Sequence, residues 1–539
     1  MVISLIIAPI RISDVWLLTF EYDGIASLGG LGRAVAMYAR GLVKEGYKVT
    51  VFMPSHGRHL SQNIRGLRSV EGFTACGHRI GIDGNRYRYC MGADEVNIDG
   101  VRVILFKGLD SATGKFLDDW SIYANVEEKV CLYTRALIHW IDRFNEIPHI
   151  IHSNDWTTAL AGAALKVFFE MKGYSIPFVY SIHLLSWKSF PWHYASSDWC
   201  GIPDVLHRIW RFNRHETVTT RALWDSVYGS VDQYAAIESD VLVTNSWSYM
   251  DEILSRFGRW MEEKTFVIHN VTDWKVEDVE SEVERMLGMK SRIEIRRRVL
   301  NMLSRELSTR KSGELSDCRF LISAAGRITW SKGFDLLINA LDHVDRDVCA
   351  VIMGIPIGDS EYERFLSNIA SSRWGRVLVI LDQVERTLLK LIIYASNVFV
   401  VPSRYEPFGM VSIEAQALGT PVVVSAVGGL PETIIDLRYD PTYGSGIAIQ
   451  LNDLYSMGEA INDLSCLTEF ADTNDRGVLD RLRSSWAINA VRRNPQINVR
   501  DNAIKWVESK FRENRLRELL RSCYEKARNY AYYRALTPL

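Results

Sequence analysis

Residues 402–434 read PSRYEPFGMVSIEAQALGTPVVVSAVGGLPETI, and the fold follows from this stretch. The residues before it, 398–401 (VFVV), form a strand-length apolar run that Pro402 stops. Residues 404–409 (RYEPFG) are turn chemistry, with the Glu406 carboxylate in the turn and Gly409 freeing the backbone. Residues 410–418 carry apolar side chains at helical spacing and stop at Gly419, a C-cap residue. Residues 421–425 (PVVVS) are the next buried strand, and Gly428-Gly429 opens the next loop. Strand, loop, helix, strand is the grammar of a parallel sheet, whose ligands sit beyond the carboxyl ends of the strands.

Glu406 falls in such a loop, and Glu414 lies in the first two turns of the helix behind it. That spacing places both to face one ligand. The N–H groups around Gly409, Met410 and Val411 head the helix and suit a phosphate. Taken singly, each glutamate also reads as a solvated surface residue.

A chain of 539 residues is too long for one core, so two or more domains are expected. Hydrophobic content of 47% and charged content of 24% describe an ordinary globular protein. The net charge of -2 supplies no field to draw it to nucleic acid or anionic lipid. Eight cysteines are scattered without a C-x-x-C pair or zinc spacing, and they read as reduced core thiols of a cytoplasmic protein. The opening MVISLIIAPIR lacks a basic n-region and a cleavage site, and its apolar run is too short to span a bilayer. It reads as a short extra strand or as an upstream start.

Residues 15–20 are strand-like and run into E-Y-D-G-I-A-S-L-G-G-L-G-R (21–33), then a helical segment 34–45 and strand 48–53. Gly29 and Gly30 between strand and helix leave backbone N–H groups unobstructed for a phosphate, although glycine loops also serve plain turns. The loop is not the G-x-G-x-x-G dinucleotide pattern, which disfavours a nicotinamide enzyme. Residues 79–89 and 101–106 read as further strands and 121–144 as a long helix. Asp155 and His183 each stand at the end of a strand, where cleft residues belong; either alone is more often structural. Residues 184–224 are rich in aromatics, and Trp187, Trp192 and Tyr194 are candidate stacking faces for pyranose rings. A loop packed on its own aromatics has the same composition.

Residues 275–313 turn charged and helical, a solvated connector whose Arg296-Arg297-Arg298 is offset by neighbouring acids. Gly326-Arg327 ends the next strand and Lys332-Gly333 starts the next helix, so a planar fork and a point charge can clamp a diphosphate. Asp345-Arg346-Asp347 has the D-x-D pattern of a metal site but precedes its strand. Residues 501–527 read as one charged helix.

E-P-F-G-M-V-S-I-E, followed by G-T-P-V-V-V-S and V-G-G-L-P-E, resembles the donor-site signature of retaining glycosyltransferases of the two-domain GT-B type. S-x-G-G-L-G-x-A, P-S-H-G-R (54–58), I-I-H-S-N-D-W (150–156), the strand ending in His183 and G-R-x-x-x-x-K-G resemble the glycogen/starch synthase family, in its archaeal-type branch. Ser27 and Leu28 stand where that family usually carries lysine and threonine. The resemblance implies an α/β GT-B fold: two Rossmann-like domains with parallel sheets facing an interdomain cleft. On this reading residues 1–273 form the acceptor-side domain, 274–317 a connector, 318–510 the nucleotide-sugar domain, and 511–539 a helix returning to the first domain. The implied reaction adds glucose from ADP-glucose or UDP-glucose to the non-reducing end of an α-1,4-glucan, without a metal or other cofactor. The runner-up is a small acceptor of the sucrose or trehalose type, and a non-catalytic glucan- or nucleotide-binding protein is a reading from another class. The implied donor set is Gly29, Gly30, Arg327, Lys332, Glu406, Phe408, Gly409, Met410, Val411 and Glu414. His183 and Asp155 would position the glucose and acceptor.

Overall fold

The computed structural model describes residues 6–7, 12–61, 64–289, 291–316 and 318–538. It divides into two compact units, Met1–His269 with Glu513–Leu539, and Asn270–Arg512.

The first unit is built on a ten-stranded sheet. Its main strands are β1 (Asp14–Leu18), β2 (Lys48–Pro54), β3 (Arg86–Ile98), β4 (Val101–Gly108), β5 (Ile150–Asn154) and β6 (Phe178–Ile182). A separate hairpin, β7 (Leu206–Arg211) and β8 (Arg214–Thr219), follows, and β9 (Val241–Thr244) and β10 (Thr265–Val267) complete the sheet. The spatial order β10-β9-β6-β5-β1-β2-β4 is parallel throughout, and β3 continues it antiparallel. The parallel strands are near-continuous apolar runs because helices cover both faces. Among those helices are α1 (Gly30–Lys44), α2 (Val126–Phe144), α3 (Trp156–Met171), α4 (Val231–Glu238) and α5 (Trp247–Phe257). The strand order reverses between β1 and β5, so the loops after β1, β5 and β6 share one carboxyl edge.

The second unit holds seven strands: β11 (Lys311–Leu315), β12 (Phe320–Arg327), β13 (Val348–Ile355), β14 (Arg376–Leu381), β15 (Val398–Val401), β16 (Val422–Ser425) and β17 (Gly446–Ile449). The order is β11-β14-β13-β12-β15-β16-β17, parallel except at β11. Here the order reverses between β12 and β15. Helices α6 (Phe334–Ala340) and α7 (Met410–Ala417) follow those two strands, and apolar clusters fill both faces of the sheet.

Several local readings need correction. Residues 79–89 are not one strand: Ala75–Ile80 pairs antiparallel with β3 across a tight turn containing Asp83-Gly84. The helix expected from residue 121 starts at Val126, and residues 121–125 are a loop. The charged segment 274–317 is no free connector. Its apolar face (Trp274, Val279, Ile295, Val299, Leu303) joins the core of the second unit, β11 pairs with β14, and Arg296 is buried against Glu469 and Asp472. The expected single helix 501–527 is broken at Phe511-Arg512 into Val499–Lys510 and Glu513–Leu536. There the Phe511 carbonyl accepts the Thr272 N–H, and the Arg512 guanidinium donates to the Thr272 and Trp274 carbonyls. The final helix, Glu513–Leu536, lies against the first unit: Tyr524 reaches His152, and Arg534 is buried with Asp240 and Glu170. Ile6–Ile7 pairs with Tyr174–Ser175, and the rest of the opening eleven residues lie outside the described residues.

The cysteines also differ from expectation. Six are paired, as Cys76–Cys90, Cys131–Cys200 and Cys318–Cys349, while Cys466 and Cys523 are buried thiols. Partners 14, 69 and 31 residues apart meet only after strands and helices have packed, which spacing alone does not reveal. Titration of the denatured, unreduced chain should therefore find the two thiols of Cys466 and Cys523. Eight reactive thiols would contradict the pairing.

Candidate active site

In the second unit the loops after β12 and β15 are neighbours at the strand-order reversal, and several contacts bolt them together. Lys332 Nζ lies 2.5 Å from Glu406 Oε2, which also accepts the Ser403 hydroxyl at 3.3 Å. One turn away Arg404 makes a two-pronged pair with Asp335 at 2.8 and 2.6 Å and stacks 3.5 Å over the Trp330 ring. The Arg404 N–H donates to the Ser331 carbonyl. Gly333 has a left-handed backbone, and a Cβ there would sit 2.1 Å from the Pro402 carbonyl oxygen. Gly428 is held as tightly: its φ is +49°, and a Cβ would lie 2.0 Å from the Glu406 carbonyl oxygen. The V-G-G-L-P-E loop thus buttresses the turn that presents Glu406, a role its glycines did not announce.

Arg327 leaves the end of β12 half-buried and forms no ion pair among the described residues. The first N–H groups of α7, at Met410 and Val411, have no side-chain cap. Arg327, Lys332 and these amides are the groups at this edge whose chemistry suits an anion. Glu414 is buried in α7. Phe408 departs from its expected place: the residue is 2% exposed and its ring packs edge-on against Phe511.

In the first unit the glycine-rich loop carries a carboxylate that its glycine pattern does not single out. Glu21 Oε2 accepts the N–H groups of Leu28 (2.7 Å) and Gly29 (3.1 Å), and the Tyr123 hydroxyl donates to Oε1. The Gly29 N–H is therefore spent internally, which corrects its assignment to donor phosphate; amides at the head of α1, from Gly30 on, remain uncapped by any side chain. An acid closing the β1 segment, just ahead of the glycines, was the available signal.

Asp155 sits between β5 and α3 with φ 61° and ψ 170°, a region that side chains other than glycine's rarely occupy. Its Oδ1 accepts the N–H groups of His183 (2.7 Å) and Leu184 (3.0 Å), so it shapes the loop after β6. Burial pushes its carboxyl up to about 8, against those two bonds. Burial takes the His183 imidazole down to about 4, so it is neutral near pH 7. The Asn154 amide nitrogen donates to the Leu18 carbonyl, which turns Asn154 Oδ1 toward His183 Nε2 at 3.1 Å. His183 then carries its proton on Nε2 and keeps Nδ1 as an acceptor.

The three candidate acceptor aromatics separate. Trp187 is 67% exposed, adopts a left-handed backbone, and is backed by the Arg256 guanidinium 3.9 Å from its ring. Trp192 is half-buried near Trp224. Tyr194 is a core residue, stacked on Phe190 at 4.0 Å with its hydroxyl on the Glu127 carbonyl, which corrects its assignment to the acceptor. The D-x-D segment is likewise committed: Arg481 bridges Asp345 and Asp347 at 2.8 and 2.9 Å, ahead of β13. No group of three or more His, Cys, Asp or Glu side chains among the described residues could hold a metal ion. No helix among them is long and apolar enough to cross a membrane.

These features define a class, the two-domain glycosyltransferases of GT-B type. Residues 14–265 match the family model for the starch synthase catalytic domain, and residues 306–471 the model for glycosyl transferases group 1. The chain is 24% identical over 471 residues to the glycogen synthase of Desulfitobacterium hafniense, covering 82% of this chain and 89% of that one. It is 26% identical over 465 residues to the glycogen synthase of Clostridioides difficile, covering 82% and 90%. Its fold matches the catalytic domain of starch synthase IV from Arabidopsis thaliana, solved with ADP and acarbose, with a TM-score of 0.70, 19% identity, and coverage of 96% and 100%. The chain belongs to the glycogen/starch synthase family of glycosyltransferases.

Asp155 yields a stability test. A carboxyl raised in the folded state binds more protons there than in the unfolded chain, so its contribution to stability falls as pH rises from about 4 to about 8. Asp155→Asn keeps the Oδ1 acceptor and removes the charge. Its Tm should exceed the parent's by roughly a few degrees above pH 8 and converge with it below pH 4. A variant less stable at pH 9 than the parent would contradict the burial account.

Proposed function

We propose that the chain is a retaining glucosyltransferase that moves glucose from ADP-glucose or UDP-glucose to the non-reducing 4-hydroxyl of an α-1,4-glucan. The observation that carries the reading is the Lys332–Glu406 contact at the carboxyl edge of the second sheet, where Arg327 ends β12. The hard step breaks the bond between the anomeric carbon and the diphosphate and leaves negative charge on the nucleotide. Arg327, Lys332 and the N–H groups of Met410 and Val411 would stabilise that charge by fixed electrostatics. Before the donor arrives, Glu406 is the counter-ion of Lys332. A diphosphate competes for the ammonium, and its binding hands the Glu406 carboxylate to the sugar, where it holds hydroxyls or steadies oxocarbenium charge. Glu414 would take the ribose hydroxyls. From the first unit, His183 would offer a neutral hydrogen-bonding nitrogen to the glucose, and Asp155 would hold the loop that presents it.

A metal is not needed in this scheme, because two protein cations occupy the role. The D. hafniense and C. difficile relatives are named glycogen synthases, and the Arabidopsis enzyme was solved with ADP and acarbose, which supports a nucleotide-sugar donor and a glucan acceptor. A near-neutral chain has no charge for nucleic acid. A cytoplasmic location fits a nucleotide-sugar substrate, and three disulfides are unusual for that compartment.

Transfer of radiolabelled glucose from each donor to glycogen, maltooligosaccharide and free glucose tests the reading. Glu406→Ala and Lys332→Ala should each cut turnover by ~10²-fold or more, and EDTA should leave the rate unchanged. Near-normal turnover in either variant, or a preference for free glucose as acceptor, would overturn it.

A further inference from the structure

Lys129 lies in the first turn of α2, wholly buried, and the site described above makes no use of it. Its Nζ donates to the carbonyls of Asp119 (3.1 Å), Ser121 (2.5 Å) and Ile122 (3.2 Å) and lies 3.3 Å from His56 Nδ1. Burying an ammonium is costly, and here four acceptors offset the lost water.

These contacts belong to a closed circuit across three loops at the carboxyl edge of the first sheet. β1, β2 and β4 are parallel neighbours, and the loops after them carry Phe20-Glu21, His56 and residues 118–123. The Phe20 carbonyl lies 3.0 Å from His56 Nε2. Burial takes the His56 imidazole down to about 3, so it is neutral, with its proton on Nε2 for Phe20 and Nδ1 accepting from Lys129. Lys129 gathers the carbonyls of residues 119–122, and the next residue, Tyr123, donates its hydroxyl to Glu21. Glu21 follows Phe20, which closes the circuit. Arg58 braces the same loop: it donates to the Trp120 carbonyl at 3.2 Å, with its guanidinium 3.4 Å over the indole. His56 adopts a left-handed backbone (φ 47°) to take this place.

What the circuit holds is the glycine-rich loop. Glu21 is buried, and its second oxygen takes the Leu28 and Gly29 amides, with Ser27 Oγ 3.4 Å away. Ser27 stands where the family usually carries a lysine, so the loop brings no cation of its own there. Its order comes from a cation behind it.

We propose that Lys129 is a positioning residue for the nucleotide-sugar donor: through this circuit it fixes Glu21 and Tyr123 against the glycine-rich loop and so sets the direction of the α1 amides from Gly30 on. The proposal rests on the glucosyltransferase reading, in which those amides serve the donor. The circuit needs the ammonium charged, because three protons serve four acceptors and a neutral amine would offer two. His56 and Arg58 face it from the loop after β2, and Asp118 and Asp119 from the loop after β4. Burial takes Lys129 down to about 8, with Arg58 pushing the same way and the two acids opposing.

Tyr123→Phe removes one hydroxyl from a side chain that is 41% exposed, so the variant should fold. Lys129→Met opens the circuit at its centre. In each, the Leu28 and Gly29 amides should exchange hydrogen about tenfold faster, and the Kd for ADP or UDP and the donor KM should rise about fivefold. The kcat and the KM for glycogen should change by less than about twofold. Since both variants act on one circuit, the double variant should bind nucleotide no worse than either single. Raising the pH from about 7 to about 9 should weaken nucleotide binding several-fold in the parent and barely in Tyr123→Phe. That comparison stands even if Lys129→Met does not fold. Unaltered amide exchange in Tyr123→Phe, effects that multiply in the double variant, or one shared pH dependence in parent and Tyr123→Phe would overturn the proposal. Faster exchange and weaker nucleotide binding in a chain that transfers no glucose would keep the circuit and sink the transferase reading.

Discussion

A lysine ammonium and a glutamate carboxylate from two different loops meet 2.5 Å apart at the reversal point of the second sheet, and the proposed chemistry depends on that contact. Nothing in a single loop could hold it. The Arg404–Asp335 fork, the glycines at 333 and 428, and the Trp330 ring under Arg404 pin the two loops together. Two opposite charges held this way are cheap to keep together at a half-buried edge and are also easily re-partnered by a doubly charged phosphate. On the proposed reading the site is a stored exchange reaction: the donor would replace Glu406 as the partner of Lys332, and the released carboxylate would already be at the sugar.

The first unit uses carboxylates differently. Glu21 and Asp155 face backbone N–H groups and organise loops, one around the glycines and the other around His183. At Asp155 two such bonds help offset a backbone conformation that costs about 1–3 kcal/mol. Strain here fixes where His183 points, and burial sets it neutral. The final helix contributes from beneath: the Tyr524 hydroxyl contacts His152, which contacts Ser181 and stacks on Tyr38.

The parallel-sheet architecture was legible because apolar strand runs, glycine-capped helices and turn residues agreed with one another across residues 398–425 and 320–341. The placement of Arg327 and Lys332 at the two ends of a strand-to-helix loop was legible for the same reason. What escaped depended on tertiary partners. Glu21 reads as an ordinary loop acid until the chain folds back and turns the Leu28 and Gly29 amides onto it. Tyr194 has the composition of a binding residue and the packing of a core one. Trp187, three positions from Leu184, is exposed with a left-handed backbone and the Arg256 guanidinium against its ring, neither of which composition reveals. The break at Phe511 is invisible to helical periodicity because a buried aromatic and a backbone contact to Thr272 impose it. Cysteine pairing was beyond spacing for the same reason.

Calorimetric titration of the nucleoside diphosphate into the parent chain and into Glu406→Gln tests the exchange most directly. If Glu406 competes with phosphate for Lys332, the variant should bind the nucleotide several-fold more tightly, with the gain shrinking as salt rises. Equal or weaker binding by Glu406→Gln at low salt would contradict the account.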